Sequence, residues 1–203
     1  MDIQRLVLGI YGTNCYIVSE TFGKCVLIDP ADNGPQLAGF LERKDLTPEA
    51  VLLTHGHYDH ILAVPALQER WPSLPVYCHP LDWPEDKVEY DMGTEFPTVT
   101  AFDNLRPLEE GQKLGFAGIR FTVLHTPGHT PGSVTFLAGD DTLFTGDTLF
   151  CGSIGRTDFA GGNDAQMTAS LKRLAALPGD YLLLPGHEQS SRLSRERRFN
   201  PYL

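Results

Sequence analysis

The chain has 203 residues, 41% of them hydrophobic and 21% charged, which suits one globular domain spanning 1–203 with an ordinary buried core. Its formal charge of −10 argues against nucleic acid as the main partner. No apolar run reaches the ~18 residues that would suggest a membrane span, and no basic stretch leads into a long apolar one at the N-terminus, so the expected compartment is the cytoplasm.

The first third reads as strands. Residues 3–8 alternate loosely, and 15–18 and 25–28 are short apolar runs rich in β-branched residues, the second ended by Asp29-Pro30. Residues 34–44 place Leu37, Phe40 and Leu41 at helical spacing. Residues 50–54 form a nearly unbroken apolar run, as a buried strand requires, and a helix is expected over 61–71. A short strand follows at 76–78. Residues 80–110 are poorly periodic and are read as a loop with short helical pieces over the site. Strands are expected at 119–124, 134–138 and 142–144. Asn163 or Asp164 caps a helix running to Leu177, with Leu171, Leu174 and Ala175 on its buried side. A last strand at 181–184 precedes a short basic surface helix over 192–198. Strands interspersed with helices, then the same again, are compatible with two mixed sheets covered by helices; periodicity alone does not select that arrangement.

The four cysteines, Cys15, Cys25, Cys78 and Cys151, are widely spaced and form no CxxC pair. They are expected to be free thiols rather than a zinc knot or disulfides.

Seven histidines are present, and three fall within six residues as His55, His57 and His60, with Asp59 beside the last. In an extended loop leaving a strand, residues two apart point the same way, so His55 and His57 can grip one ion. The chain must then turn into the helix expected from Ile61. Asp59 and His60 are displaced by that turn and could bind a second ion. Gly56 between the histidines relieves crowding and permits an unusual backbone angle. Imidazole with carboxylate favours zinc, iron or manganese over calcium.

Further ligands are expected where other strands end on glycine-containing turns: His129 in TPGHTPG, Asp147 in TGDT and His187 in LPGH. His79 and His125 lack such support and are read as ordinary structural residues, His125 having an alternative role in orienting a ligand.

The HxHxDH run, the later histidine, the Gly-Asp and the final Gly-His resemble, in order and over nearly the whole chain, the motif set of the metallo-β-lactamase superfamily. Within it, the stretch 144–159 (FTGDTLFCGSIGRTDF) and the ending RFNPYL resemble the small bacterial glyoxalase II-like hydrolases. The resemblance implies an α+β fold: a four-layer αββα sandwich of two mixed β-sheets with helices on the outer faces. It implies two divalent metal ions, zinc foremost with iron or manganese as alternatives. His55, His57 and His129 would hold one, Asp59, His60 and His187 the other, and Asp147 would bridge them. A water between two such cations loses its proton near neutral pH and becomes a nucleophile, with Asp59 as the catalytic residue that orients it. The implied activity is hydrolysis of an acyl thioester such as S-lactoylglutathione, a small-molecule substrate.

Two departures bear on the substrate. Full glyoxalase II enzymes continue into a helical C-terminal domain that helps bind glutathione, and this chain stops before it. Where those enzymes carry a lysine and a tyrosine against glutathione, this sequence offers Arg156 and Asp158. Arg156 could meet a substrate carboxylate or be consumed in an internal pair with Asp158. The rival reading is a persulfide dioxygenase, which resembles the GRTDF segment and uses one iron held by residues matching His55, His129 and Asp147. An exported lactamase, a nucleic-acid-processing member and a binding module that has kept the fold fit less well.

Overall fold

A computed structural model describes residues 1–83 and 103–203. The loop expected over 80–110 therefore lies largely outside the described residues.

Two six-stranded sheets face each other. The first has the order β1 (Asp2–Leu8), β2 (Thr13–Ser19), β3 (Lys24–Ile28), β4 (Thr47–Leu52), β5 (Val76–Cys78), β6 (Leu105–Pro107). Its first three strands pair antiparallel and the rest parallel. Parallel neighbours need a crossover. That between β3 and β4 is α1 (Gly34–Arg43), and that between β4 and β5 holds α2 (Tyr58–Ile61) and α3 (Val64–Arg70). The second sheet runs β7 (Lys113–Phe116), β8 (Ile119–His125), β9 (Val134–Ala138), β10 (Thr142–Gly146), β11 (Leu182–Pro185), β12 (Ser191–Arg192). Only β10 and β11 pair parallel, joined through α4 (Asp164–Ala175). The chain ends on α5 (Leu193–Phe199).

Alternation along β2 shows why the layers stack. Cys15 and Ile17 point outward into a core with Leu37 and Leu41 of α1 and Val64 and Leu67 of α3. Tyr16 and Val18 point inward, against Phe121, Val123, Phe136 and Phe144 of the second sheet. Both faces are covered, so β2 reads as a continuous apolar run. Beyond the second sheet, Leu143 and Leu183 pack under Met167, Leu171 and Leu174 of α4. Each such buried side chain contributes about 1.5–3 kcal/mol. The result is the expected αββα sandwich.

One local expectation is corrected, and three short strands are additional to those expected. The helix expected over 61–71 starts earlier, at Tyr58, and is broken into α2 and α3. Pro65 lies in the first turn of α3, where its missing N–H leaves no helical bond unmade. Asp59 and His60 fall at the helix start, as expected, within the first turn of α2. The two-residue β12 and the three-residue β6 are too short to show apolar alternation, and β7 alternates over only four residues, Leu114 and Phe116 facing the core. Asn163 does cap α4, its side chain accepting from Gln166 N at 3.0 Å. Among the described residues no helix is long and apolar enough to cross a membrane.

Candidate metal centre

Four strands deliver donors to one end of the sandwich. The loop after β4 carries His55 and His57, and α2 carries Asp59 and His60. His129 follows β8, Asp147 follows β10, and His187 follows β11. The two sheets are tied directly there: Val134 N donates to Thr54 O at 2.8 Å, and Asn14 N donates to Gly186 O at 2.7 Å.

All seven expected ligands converge. His55, His57 and His129 form one group, with donor atoms within 4.8 Å of one another, and Asp59, His60 and His187 form a second on the same criterion. His57 Nδ1 lies 2.8 Å from His129 Nε2, and His60 Nε2 lies 3.3 Å from His187 Nε2. Asp147 stands between the groups. Its Oδ2 is 3.5 Å from His129 Nε2 and 3.4 Å from His187 Nε2, and its Oδ1 is 3.6 Å from His60 Nε2.

The rings are oriented from behind. His129 Nδ1 lies 2.7 Å from Arg156 O. A carbonyl only accepts, so Nδ1 carries the proton and Nε2 presents a lone pair to the site. Thr54 Oγ1 donates to Asp29 Oδ2 at 2.7 Å and accepts from His55 Nδ1 at 3.0 Å. Asp29 Oδ2 also accepts from His60 Nδ1 at 3.0 Å, while its Oδ1 accepts from Thr54 N at 2.8 Å. The sequence marks Asp29 only as the end of a strand. It is buried, with φ of 49°, and its carboxylate is filled by three hydrogen bonds. It orients imidazoles rather than offering a donor of its own, although it lies close to His55 and His60. One signal points to it: Asp29 follows an apolar strand, as the histidine loops do.

The electrostatics call for cations. Burial pushes the His55 imidazole well below its usual pKa, and burial with the neighbouring His129 holds His57 at about 3. Burial acts the same way on His60, but Asp59, Asp147 and Asp29 outweigh it and raise that ring to about 10. His187 is also raised, burial being overcome by its hydrogen bond to Asp59 and by Asp147. Burial raises the Asp59 carboxyl, yet His60 and His187 hold it well below the ordinary range. Protons here occupy places that carboxylates make attractive to positive charge, beside neutral rings with lone pairs turned inward. His55 Nε2 and Asp147 Oδ1 are buried with no hydrogen-bond partner among the described residues. Such orphans cost about 1–3 kcal/mol each, and a bound cation removes both penalties. The residues present fit metal ions.

The remaining expectations divide. Gly56 is not among the positive-φ glycines, so close packing explains it, not an unusual angle. Arg156 is paired to Asp158 through two hydrogen bonds of 2.7 and 2.8 Å, and its guanidinium lies 4.1 Å over the Phe159 ring. That ring meets His57 edge-on at 5.9 Å. His79 and His125 stack on each other at 4.3 Å, and His125 Nε2 bonds Pro131 O rather than a ligand. The four described cysteines are free. The basic end is less solvated than expected, since Arg197 donates to the carbonyls of Ala175, Leu177 and Gly179 at and beyond the end of α4.

A sequence model of the Metallo-beta-lactamase superfamily matches residues 8–187. The chain belongs to this superfamily. Among its superfamily relatives, the probable metallo-hydrolase YqgX of Bacillus subtilis is 35% identical over 100% of this chain and 98% of its own length. The hydroxyacylglutathione hydrolase of Xylella fastidiosa is 45% identical over 82% of this chain, which spans 56% of that protein. Superfamily structures superpose closely. The BLEG-1 B3 metallo-β-lactamase gives a TM-score of 0.89 at 37% identity, covering 100% of this chain and 99% of that one. TTHA1623 in a di-iron-bound form gives 0.86 at 42% identity, covering 98% and 100%. ETHE1 from Myxococcus xanthus gives 0.79 at 32% identity, covering 99% and 84%.

Proposed function

We propose that this chain hydrolyses the acyl thioester of a small thiol, of the S-lactoylglutathione kind, at a centre of two divalent cations. The observation that carries the reading is the convergence of two complete donor triads on Asp147. His55, His57 and His129 would hold one cation and Asp59, His60 and His187 the other, with Asp147 reaching both. Zinc suits the donor set, and iron is supported by the di-iron-bound relative. When bound, such a pair lowers the pKa of a water toward neutrality and polarises a carbonyl oxygen.

The chain's own residues supply orientation. Asp59 is fixed by Thr13 Oγ1 at 2.9 Å, and its depressed pKa keeps it ionised as an acceptor for the attacking water. The Phe159 ring forms a wall beside His57 and His129. A thiolate leaves without strong acid assistance, which suits a site whose carboxylates accept and whose imidazoles would be committed to the cations. The hydroxyacylglutathione hydrolase relative supports the thioester bond as the target. The glutathione carrier has weaker support, because Arg156 already spends its charge on Asp158. The partner is read as a small molecule rather than nucleic acid, in keeping with the charge of −10, and the compartment as the cytoplasm.

Elemental analysis of protein purified without added metal, followed by a panel of thioesters, an oxygen ester and a β-lactam on the same sample, tests this reading. Two metals per chain and thioester turnover are expected. Turnover of the lactam or ester with no thioester cleaved would sink it. The likeness to ETHE1 favours one second reading, a persulfide dioxygenase with a single iron on His55, His129 and Asp147. One iron per chain with oxygen uptake on a persulfide would select it.

A further inference from the structure

Each triad takes ligands from both sheets, so something must set the separation of the loops that carry them. The first triad joins the loop after β4, with His55 and His57, to the connection between β8 and β9, with His129. One carboxylate touches both. Asp82 Oδ2 accepts from Gly56 N at 3.1 Å, between the two histidines, and from Thr130 Oγ1 at 2.5 Å, next to His129. Its Oδ1 accepts from Gly132 N at 2.7 Å. Asp82 ends a 3-10 turn, Pro80–Asp82, that follows β5 and is closed by Asp82 N donating to His79 O at 2.9 Å.

The fit is tight on both sides. A Cβ on Gly56 would lie 2.5 Å from the Asp82 carbonyl oxygen, and one on Gly132 would lie 2.6 Å from Asp82 Oδ1. Both glycines are therefore required by the approach of this one residue. The β8–β9 connection is also bonded to itself, Thr130 N donating to Ser133 Oγ at 3.1 Å, so holding Thr130 and Gly132 holds His129 between them and β8. The second triad has its own separate fastening. Thr13 Oγ1 bonds Asp59, and Asn14 Nδ2 donates to Pro185 O and Glu188 O, both at 2.9 Å, on either side of His187.

We propose that Asp82 is a positioning residue for the His55–His57–His129 half of the centre alone, bracing the two loops at the spacing one cation needs, while Thr13 braces the other half. The proposal rests on the two-metal reading. Neither residue is placed on an ion.

Stepwise metal titrations against a chromophoric chelator test it in two backgrounds. His187→Ala leaves the first half intact, and His57→Ala leaves the second. Added to His187→Ala, Asp82→Asn replaces one accepting oxygen by a donor that meets N–H groups, and is expected to weaken the remaining cation roughly 10–100-fold, the range for groups that orient ligands. In the His57→Ala background it should change affinity by less than about threefold. Thr13→Val should show the opposite selectivity, and Thr13→Ser should restore the parent value. Equal losses in both backgrounds, or none in either, overturn the proposal, since a merely destabilised fold would weaken both halves together. A parent protein that binds one metal, unaffected by His187→Ala, refutes the two-metal reading instead, while the effect of Asp82→Asn on that one site still tests the brace.

Discussion

His60 Nδ1 lies 3.0 Å from Asp29 Oδ2, with both side chains buried. The same carboxylate is tied to His55 through the Thr54 hydroxyl, so one acid orients a ring in each triad. Asp29→Ala is expected to weaken metal binding at both halves, each by roughly 10–100-fold. Isothermal titration with zinc would read both losses. A loss confined to one half would contradict the shared role.

Removing the metal should lower stability by mass action. Free metal at 100 times its dissociation constant adds about 2.7 kcal/mol, which in a domain of this size raises Tm by roughly 5–11 °C. Thermal melts with and without a chelator would show the difference. An unchanged Tm would mean that the site binds no metal in the native state.

Glu196 gives the acid limb of stability a definite sign. It is fully buried and accepts from Gly152 N at 2.7 Å, Arg195 Nη1 at 2.6 Å, Asn200 Nδ2 at 3.0 Å and the Ser191 hydroxyl. Burial raises its pKa, but the hydrogen bonds from Ser191, Gly152, Arg195 and Asn200 outweigh that and set it below the ordinary value. A depressed folded pKa stabilises fully above the unfolded value of about 4.3. The contribution is lost as pH falls through the folded value. Glu196→Gln should cost about 1–3 kcal/mol at neutral pH and flatten the loss below pH ~4, measured by urea unfolding across pH.

Asp158 restrains Arg156, and freeing it should change substrate preference. Asp158→Asn is expected to lower KM for a carboxylate-bearing thioester severalfold and leave kcat near its parent value. An uncharged thioester should show no such gain. Steady-state kinetics on the matched pair would decide.

Phe144 sits in the core between the sheets, its ring 5.2 Å from that of Tyr16. Phe144→Ala should cost about 3–5 kcal/mol. Tyr16 also holds Pro185 O at 2.7 Å through its hydroxyl, so metal affinity at the His187 half should fall with it. Denaturant unfolding of the metal-free protein separates the two effects.

The seven donors are legible in the sequence because five stand just after strand ends on glycine-bearing turns, while Asp59 and His60 follow at once on α2, so that three of the histidines share six residues. Imidazoles and a carboxylate crowded that closely in sequence form the donor set that a cation site requires. The helices and buried strands are legible from apolar spacing, except where Pro65 splits one helix, a break that propensity hides because proline is welcome in a first turn. The bracing residues are not legible. Asp29 and Asp82 act through hydrogen bonds to groups 25 to 50 positions away, and no local pattern announces a contact that only the closed sandwich creates. Arg156 is legible as a charge, while its capture by Asp158 is one of two arrangements that only geometry separates.

Each triad is completed only by a histidine from the opposite sheet: His129 for one, His187 for the other. An occupied centre is therefore a rivet through the two halves of the sandwich. Prying the sheets apart requires coordination bonds to break first, so the lifetime of the loaded protein in denaturant should follow the departure of its ions. The same rivet would make assembly order matter: ions held as proposed would be captured only after both sheets have met.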